Sequence, residues 1–197
     1  DPVVPQNESS GLNELLTAPN TTDKVDSLLA IGNSLIGEWN DVIYVGQIAD
    51  SIALQIEYIQ GSALANKLLG IPYFYQGDPI MAIRYWDFSI DRYEEIGDVE
   101  GLSNMQNNIG SVYREQGELV TALEYFTRSL ENAEKIEDEK ARSLRVASAL
   151  YGIGNVNSDI PDADELAKDY YFRTLPLAIE IEDDFIIANT YMGIGEI

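Results

Sequence analysis

The sequence predicts an all-α chain, an α-solenoid of antiparallel helix pairs. Three observations lead there. First, Asn107–Leu130 reads as two amphipathic helices that meet at a tight turn, Gln116-Gly117-Glu118. Second, its residues return 40 positions earlier as Leu69-Gly70, Tyr73, Gly77, Ala82 and Tyr85-Trp86. Self-similarity at such a period marks a stacked-repeat architecture. Third, an Ile or Leu followed by glycine occurs five times at helical positions: Ile31-Gly32, Leu69-Gly70, Ile109-Gly110, Ile153-Gly154 and Ile194-Gly195. Glycine inside a helix costs about 1 kcal/mol against alanine. Repeating that cost requires a packing reason, which a close approach between paired helices supplies.

In chain order, residues 1–22 are rich in Pro, Asn, Ser and Thr and read as an extended leader or linker, with at most one helical turn near Leu12–Leu16. The first repeat, about 23–60, has its first apolar face at Val25, Leu28, Leu29, Ile31 and Leu35. Its second helix is expected to start near Asp41 as N-cap. The second repeat, about 61–100, turns at Gln76-Gly77-Asp78-Pro79. There Asp before Pro suits an N-cap and a first helical position that has no N–H to satisfy. Pro72 is expected to kink its first helix. The third repeat, about 101–139, is the most regular.

The fourth repeat, about 140–183, is stretched. Ile153-Gly154 follows Ile109-Gly110 by 44 residues, so its first helix gains about a turn. Asp162 with Glu165 resembles a capping box, and Pro176 is expected to bend or break the second helix. A fifth unit starts at about 184 and reaches Ile197 within its first helix, which reads as a piece of a longer array.

Composition narrows function. The net charge is −22, from 34 acids and 12 bases. Residues 1–66 hold 9 acids and 1 base, residues 67–149 hold 15 and 9, and residues 150–197 hold 10 and 2, so the charge is spread along the chain. A field of this sign repels phosphate backbones, which argues against nucleic acid. With no Cys and no His, thiol nucleophiles, disulfides, most zinc sites and the usual general base are excluded. Asp159, Asp162, Asp164 and Glu165 lack the spacing and glycine of a calcium loop and read as capping and solvation. No cofactor and no metal site is expected, and no enzyme activity in the chain itself. No apolar run is long enough to insert in a membrane. The chain starts at Asp1 without methionine; an extracytoplasmic or periplasmic location after a removed signal peptide is placed ahead of a cytoplasmic one.

The pattern Ile109-Gly110, Tyr113, Ala122, Phe126, with Leu69-Gly70, Tyr73, Ala82, Trp86 before it, resembles the tetratricopeptide repeat family over about residues 23–197. The unit of about 40 residues, longer than the usual 34, resembles its extended subclass, found in adaptors and bacterial regulators. It is also similar to helical sensor modules that precede nucleotide cyclase or histidine kinase domains in some bacteria. The resemblance implies a right-handed superhelix that binds a peptide or protein on a concave face made by first helices. The residues it places there are Lys67, Ile71 and Phe74, then Asn104, Asn107, Asn108, Ser111 and Arg114, then Tyr151, Asn155 and Ser158. Asparagines at helical spacing both donate and accept, which suits an extended peptide backbone. The acidic field favours a neutral or basic partner. The alternative is a sensory or dimerising domain of a larger signalling enzyme, with a homodimer as its expected state.

Overall fold

The computed structural model describes residues 9–197. Residues 1–8 of the expected leader lie outside the described residues. The rest of the described chain is all-α, with antiparallel helix pairs of the tetratricopeptide type. It divides into two compact units, one up to Gly97 and one from Asp98 onward.

The first unit contains α1 (Ser9–Thr17), α2 (Thr22–Ser34), α3 (Trp39–Gln55), α4 (Ile59–Tyr75) and α5 (Pro79–Ile96). Helix α1 corrects the reading of an extended leader. Leu12 is buried, and Leu15 and Leu16 pack on the cluster of Val25, Leu28, Val42 and Val45. A buried lysine fastens it. Lys24 Nζ donates to Leu16 O at 2.9 Å, Ala18 O at 2.8 Å and Asn20 Oδ1 at 3.2 Å. Three acceptors satisfy the three N–H groups of the ammonium, two of them carbonyls at the end of α1, where a cation is favoured.

The second unit contains α6 (Val99–Glu115), α7 (Leu119–Ala133), α8 (Glu139–Ser158), α9 (Asp164–Glu180) and α10 (Asp184–Glu196). Helix α8 has 20 residues where α4 and α6 have 17, the expected added turn. Within each unit the first helices lie beside one another: α2 next to α4, and α6 next to α8.

Two devices recur. The first closes helices. Residues with left-handed φ stand at 37, 57, 77, 97 and 117, then at 162 and 182 after the stretch in the fourth pair. At Gly77 (φ 76°), Asp78 N–H donates to Tyr73 O at 2.8 Å and Gly77 N–H to Phe74 O at 3.1 Å. That is a Schellman closure, and it repeats at Glu57, Gly117 and Glu182. The second device ties second helices to first-helix backbone. Ser89 Oγ donates to Ala63 O, and Ser129 Oγ to Ser103 O, both at 2.8 Å.

Local expectations need three corrections. Helix α3 starts at Trp39 with Glu38 at the N-cap, so Asp41 sits in the first turn. Asp162 does not cap α9: it takes φ 63°, and Ala163 is the N-cap without a side-chain bond. Helix α9 runs unbroken through Pro176, so the expected break does not occur. Pro72 lies inside α4, which runs on to Tyr75.

Candidate functional site

The second unit brings eight of the expected contact residues onto two adjacent helices. Asn104, Asn107, Asn108, Ser111 and Arg114 are on α6; Tyr151, Asn155 and Ser158 are on α8. Lys67, Ile71 and Phe74 are on α4 of the first unit. All eleven are half-buried, not fully open to solvent.

Several already serve the fold. Arg114 forms a forked ion pair with Asp159, Nε to Oδ2 at 2.6 Å and Nη2 to Oδ1 at 3.2 Å. Arg145 pairs with Glu100 at 3.2 Å. With its amide turned so that the oxygen faces Arg145, Asn104 accepts from both terminal nitrogens of that guanidinium, at 2.5 and 3.1 Å. A charge-assisted pair favours this orientation. These contacts join α6 to α8 at both ends. Asn155 Oδ1 accepts from the Tyr171 hydroxyl at 2.8 Å, and Ser158 Oγ lies 3.4 Å from that hydroxyl. Tyr151 packs against the Tyr171 ring at 6.1 Å between centroids. Burial pushes the Tyr171 phenol above its usual range. Ser111 Oγ returns to Asn107 O at 3.0 Å.

On α4, Ile71 packs on the first unit's core cluster. Phe74 lies against Tyr75 and Trp86, at 5.3 and 5.9 Å between centroids. The Lys67 carbonyl accepts from Trp86 Nε1 at 3.1 Å. Asn107 Oδ1 is buried and has no donor. An unmet buried acceptor costs about 1–3 kcal/mol.

No group of three or more acids, His or Cys among the described residues is placed to hold a metal. An open groove of about 410 Å³ lies between the α7–α8 and α9–α10 turns, lined by Glu100, Asp138, Leu144, Ile181 and Asp183. Asp138 and Asp183 are N-caps there, accepting from Ala141 and Ile186 N–H. Their carboxylates are used by the fold. No helix is long and apolar enough to cross a membrane among the described residues.

The paired helices, the rings of Trp86, Phe126 and Tyr171 seated against Gly70, Gly110 and Gly154, and the Schellman turns give the chain a helical-repeat fold of the tetratricopeptide type. Residues 62–135 match the family model described as Tetratricopeptide repeat. Among solved structures, the chain is similar to the one titled "Crystal structure of BtubC (BKLC) from P. vanneervenii". The TM-score is 0.71 at 18% identity, over 88% of this chain and 70% of that one. It is also similar to the apo form of RapI, with a TM-score of 0.60 at 17% identity, over 93% of this chain and 51% of that one. The chain thus spans about half the length of RapI. No curated protein matches the sequence.

Sequence reasoning missed the Arg145–Glu100 and Arg114–Asp159 pairs. Both join residues 45 apart, a spacing that matches neither the 40-residue repeat nor a helical period. Two ring stacks were legible as a repeated Tyr spacing: Tyr73 on Tyr85, and Tyr113 on Tyr125.

Proposed function

We propose that the chain is a protein–protein interaction module that takes a peptide or protein partner on the first-helix face formed by α6 and α8. The observation that carries this reading is Asn107, a buried carbonyl acceptor without a donor on a face of asparagines. An extended peptide offers a backbone N–H of matching chemistry, with Asn108 and Tyr151 beside it. Arg114 is engaged by Asp159, so a grip on a partner carboxylate is disfavoured, and the net charge of −22 adds to that. The partner is therefore neutral or basic. Lys67, Ile71 and Phe74 form a separate proposed contact set on α4 of the first unit.

The test pans a random peptide library on the 197-residue chain and measures the enriched peptides against the double variant Asn107→Ala, Asn108→Ala. Affinity should fall about tenfold, the loss of one or two hydrogen bonds, at a melting temperature no lower than wild type. Equal affinity for the two proteins would remove this face from the function.

A further inference from the structure

The rings of Trp39 and Tyr75 stack on one another, with centroids 5.1 Å and planes 6° apart. Trp39 is the first residue of α3 and Tyr75 the last of α4. Phe74 lies at 74° to Tyr75 and tilts toward Trp86, so the stack is rooted in a ring that is only 3% exposed. Tyr75 itself is 65% exposed, so most of the residue stays open to solvent although Trp39 and Phe74 lie against it.

The repeat does not require these rings. Their counterparts 40 positions on are Pro79, the first residue of α5, and Glu115, the last of α6. Glu115 is exposed, and the Schellman closure that follows Tyr75 at Gly77 follows Glu115 at Gly117. This position therefore faces solvent in both units, and a glutamate serves the turn equally well. Helices stand before and after Tyr75 in the chain, α1 to α3 and then α5, so it belongs to the interior of the array. An open Tyr stacked on a Trp is the kind of side-chain pair that anchors interfaces.

Charge selects the occupant. Residues 25–66 include Asp26, Glu38, Asp41, Asp50 and Glu57 and no base. Glu38, directly before Trp39, is the N-cap of α3 yet makes no side-chain bond to that helix, so the cap does not use its carboxylate. Ring faces carry negative charge of their own and attract cations, and the planar guanidinium also stacks on them. The chain seats its own arginines on rings in this way. Arg84 lies 5.7 Å from the Phe88 centroid, Arg128 5.8 Å from that of Tyr125, and Arg173 5.1 Å from that of Tyr170. We propose that the Trp39–Tyr75 stack is a docking surface for an arginine side chain of a partner polypeptide. It shares no residue with the α6–α8 face, so either can fail alone.

The experiment titrates a labelled Gly-Arg-Gly-Arg-Gly-Arg peptide and its lysine counterpart into the 197-residue chain by fluorescence anisotropy. Physiological salt screens the diffuse attraction that both peptides share. Saturable binding is expected, with the arginine peptide preferred about fivefold, the scale of one exposed cation–π contact. Tyr75→Leu, which keeps apolar bulk without a ring face, should abolish the preference, and Tyr75→Phe should retain it. Glu38→Gln should weaken both peptides alike. The Asn107→Ala, Asn108→Ala variant should keep the preference. Absence of saturable binding overturns the proposal, as does equal affinity for the two peptides or a preference that survives Tyr75→Leu. A preference lost in the asparagine variant overturns it too, since the arginine then sits on the α6–α8 face.

Discussion

Gly154 on α8 lies against the ring of Tyr171 on α9, so that a Cβ built on the glycine would stand 2.7 Å from Cε1. The ring cannot simply withdraw. Its hydroxyl is held by Asn155, and Gly193 of α10 lies on its other side, where a Cβ would be 2.7 Å from Cζ. Gly154→Ala should therefore destabilise by about 1–3 kcal/mol, the usual cost of overpacking. Gly195→Ala is the control. With open space around it, it should be neutral or stabilising by up to about 1 kcal/mol through helix propensity. Thermal unfolding of the two variants side by side decides the point, and equal melting temperatures would contradict the packing account.

Two helix ends place glutamate where their counterparts place glycine. Glu57 has φ 57° and Glu182 has φ 59°, and both sit at Schellman closures like those of Gly77 and Gly117. A side chain in this conformation costs about 1–2 kcal/mol, partly offset by the lower entropy of a non-glycine unfolded chain. Glu57→Gly and Glu182→Gly should each stabilise by about 0.5–1 kcal/mol. Urea denaturation should show a higher midpoint at an unchanged slope, whereas a lower midpoint would mean that the glutamates make contacts worth more than the backbone cost.

Asp87 and Asp91 are like charges one turn apart on α5. Burial, and then the Asp91 charge, hold the Asp87 carboxyl above the usual carboxylate range. An acid whose folded pKa is raised binds protons more tightly when folded. Its ionisation therefore costs stability as pH rises through the unfolded and then the folded value. Asp87→Asn should stabilise at pH 7 by about 0.2–0.5 kcal/mol, the scale of an i,i+4 like-charge pair. The gain should vanish by about pH 3, where carboxyls are protonated in both states. A gain that persists at low pH would assign the effect to something other than charge.

The first-helix face shows where sequence reading stops. Its residues were placed on α6 and α8 by repeat position alone, since the repeat fixes which residues leave the helix–helix seam. Whether each is available was not legible. Arg114 meets Asp159 and Asn104 meets Arg145 across two helices whose register depends on the added turn in α8. Asn155 meets the Tyr171 hydroxyl because this one pair uses tyrosine where the others use Trp86 and Phe126. Each of these meetings depends on side-chain reach across a gap, which no spacing rule encodes.

The sequence by itself determined the helix pairs, their period and the Gly–aromatic seams, because backbone periodicity and small-to-large packing are written in residue type and interval. The tertiary structure alone decided three further matters. Helix α1 folds onto the core because the Lys24 ammonium collects the carbonyls at its end. Gly193, rather than Gly195, is the glycine of α10 that meets the Tyr171 ring, because one side of that helix is covered and the other is open. Asn107 on α6 keeps a buried side-chain oxygen that meets no donor. All three depend on contacts between residues whose separation in sequence follows no period, so they exist only once the chain is folded.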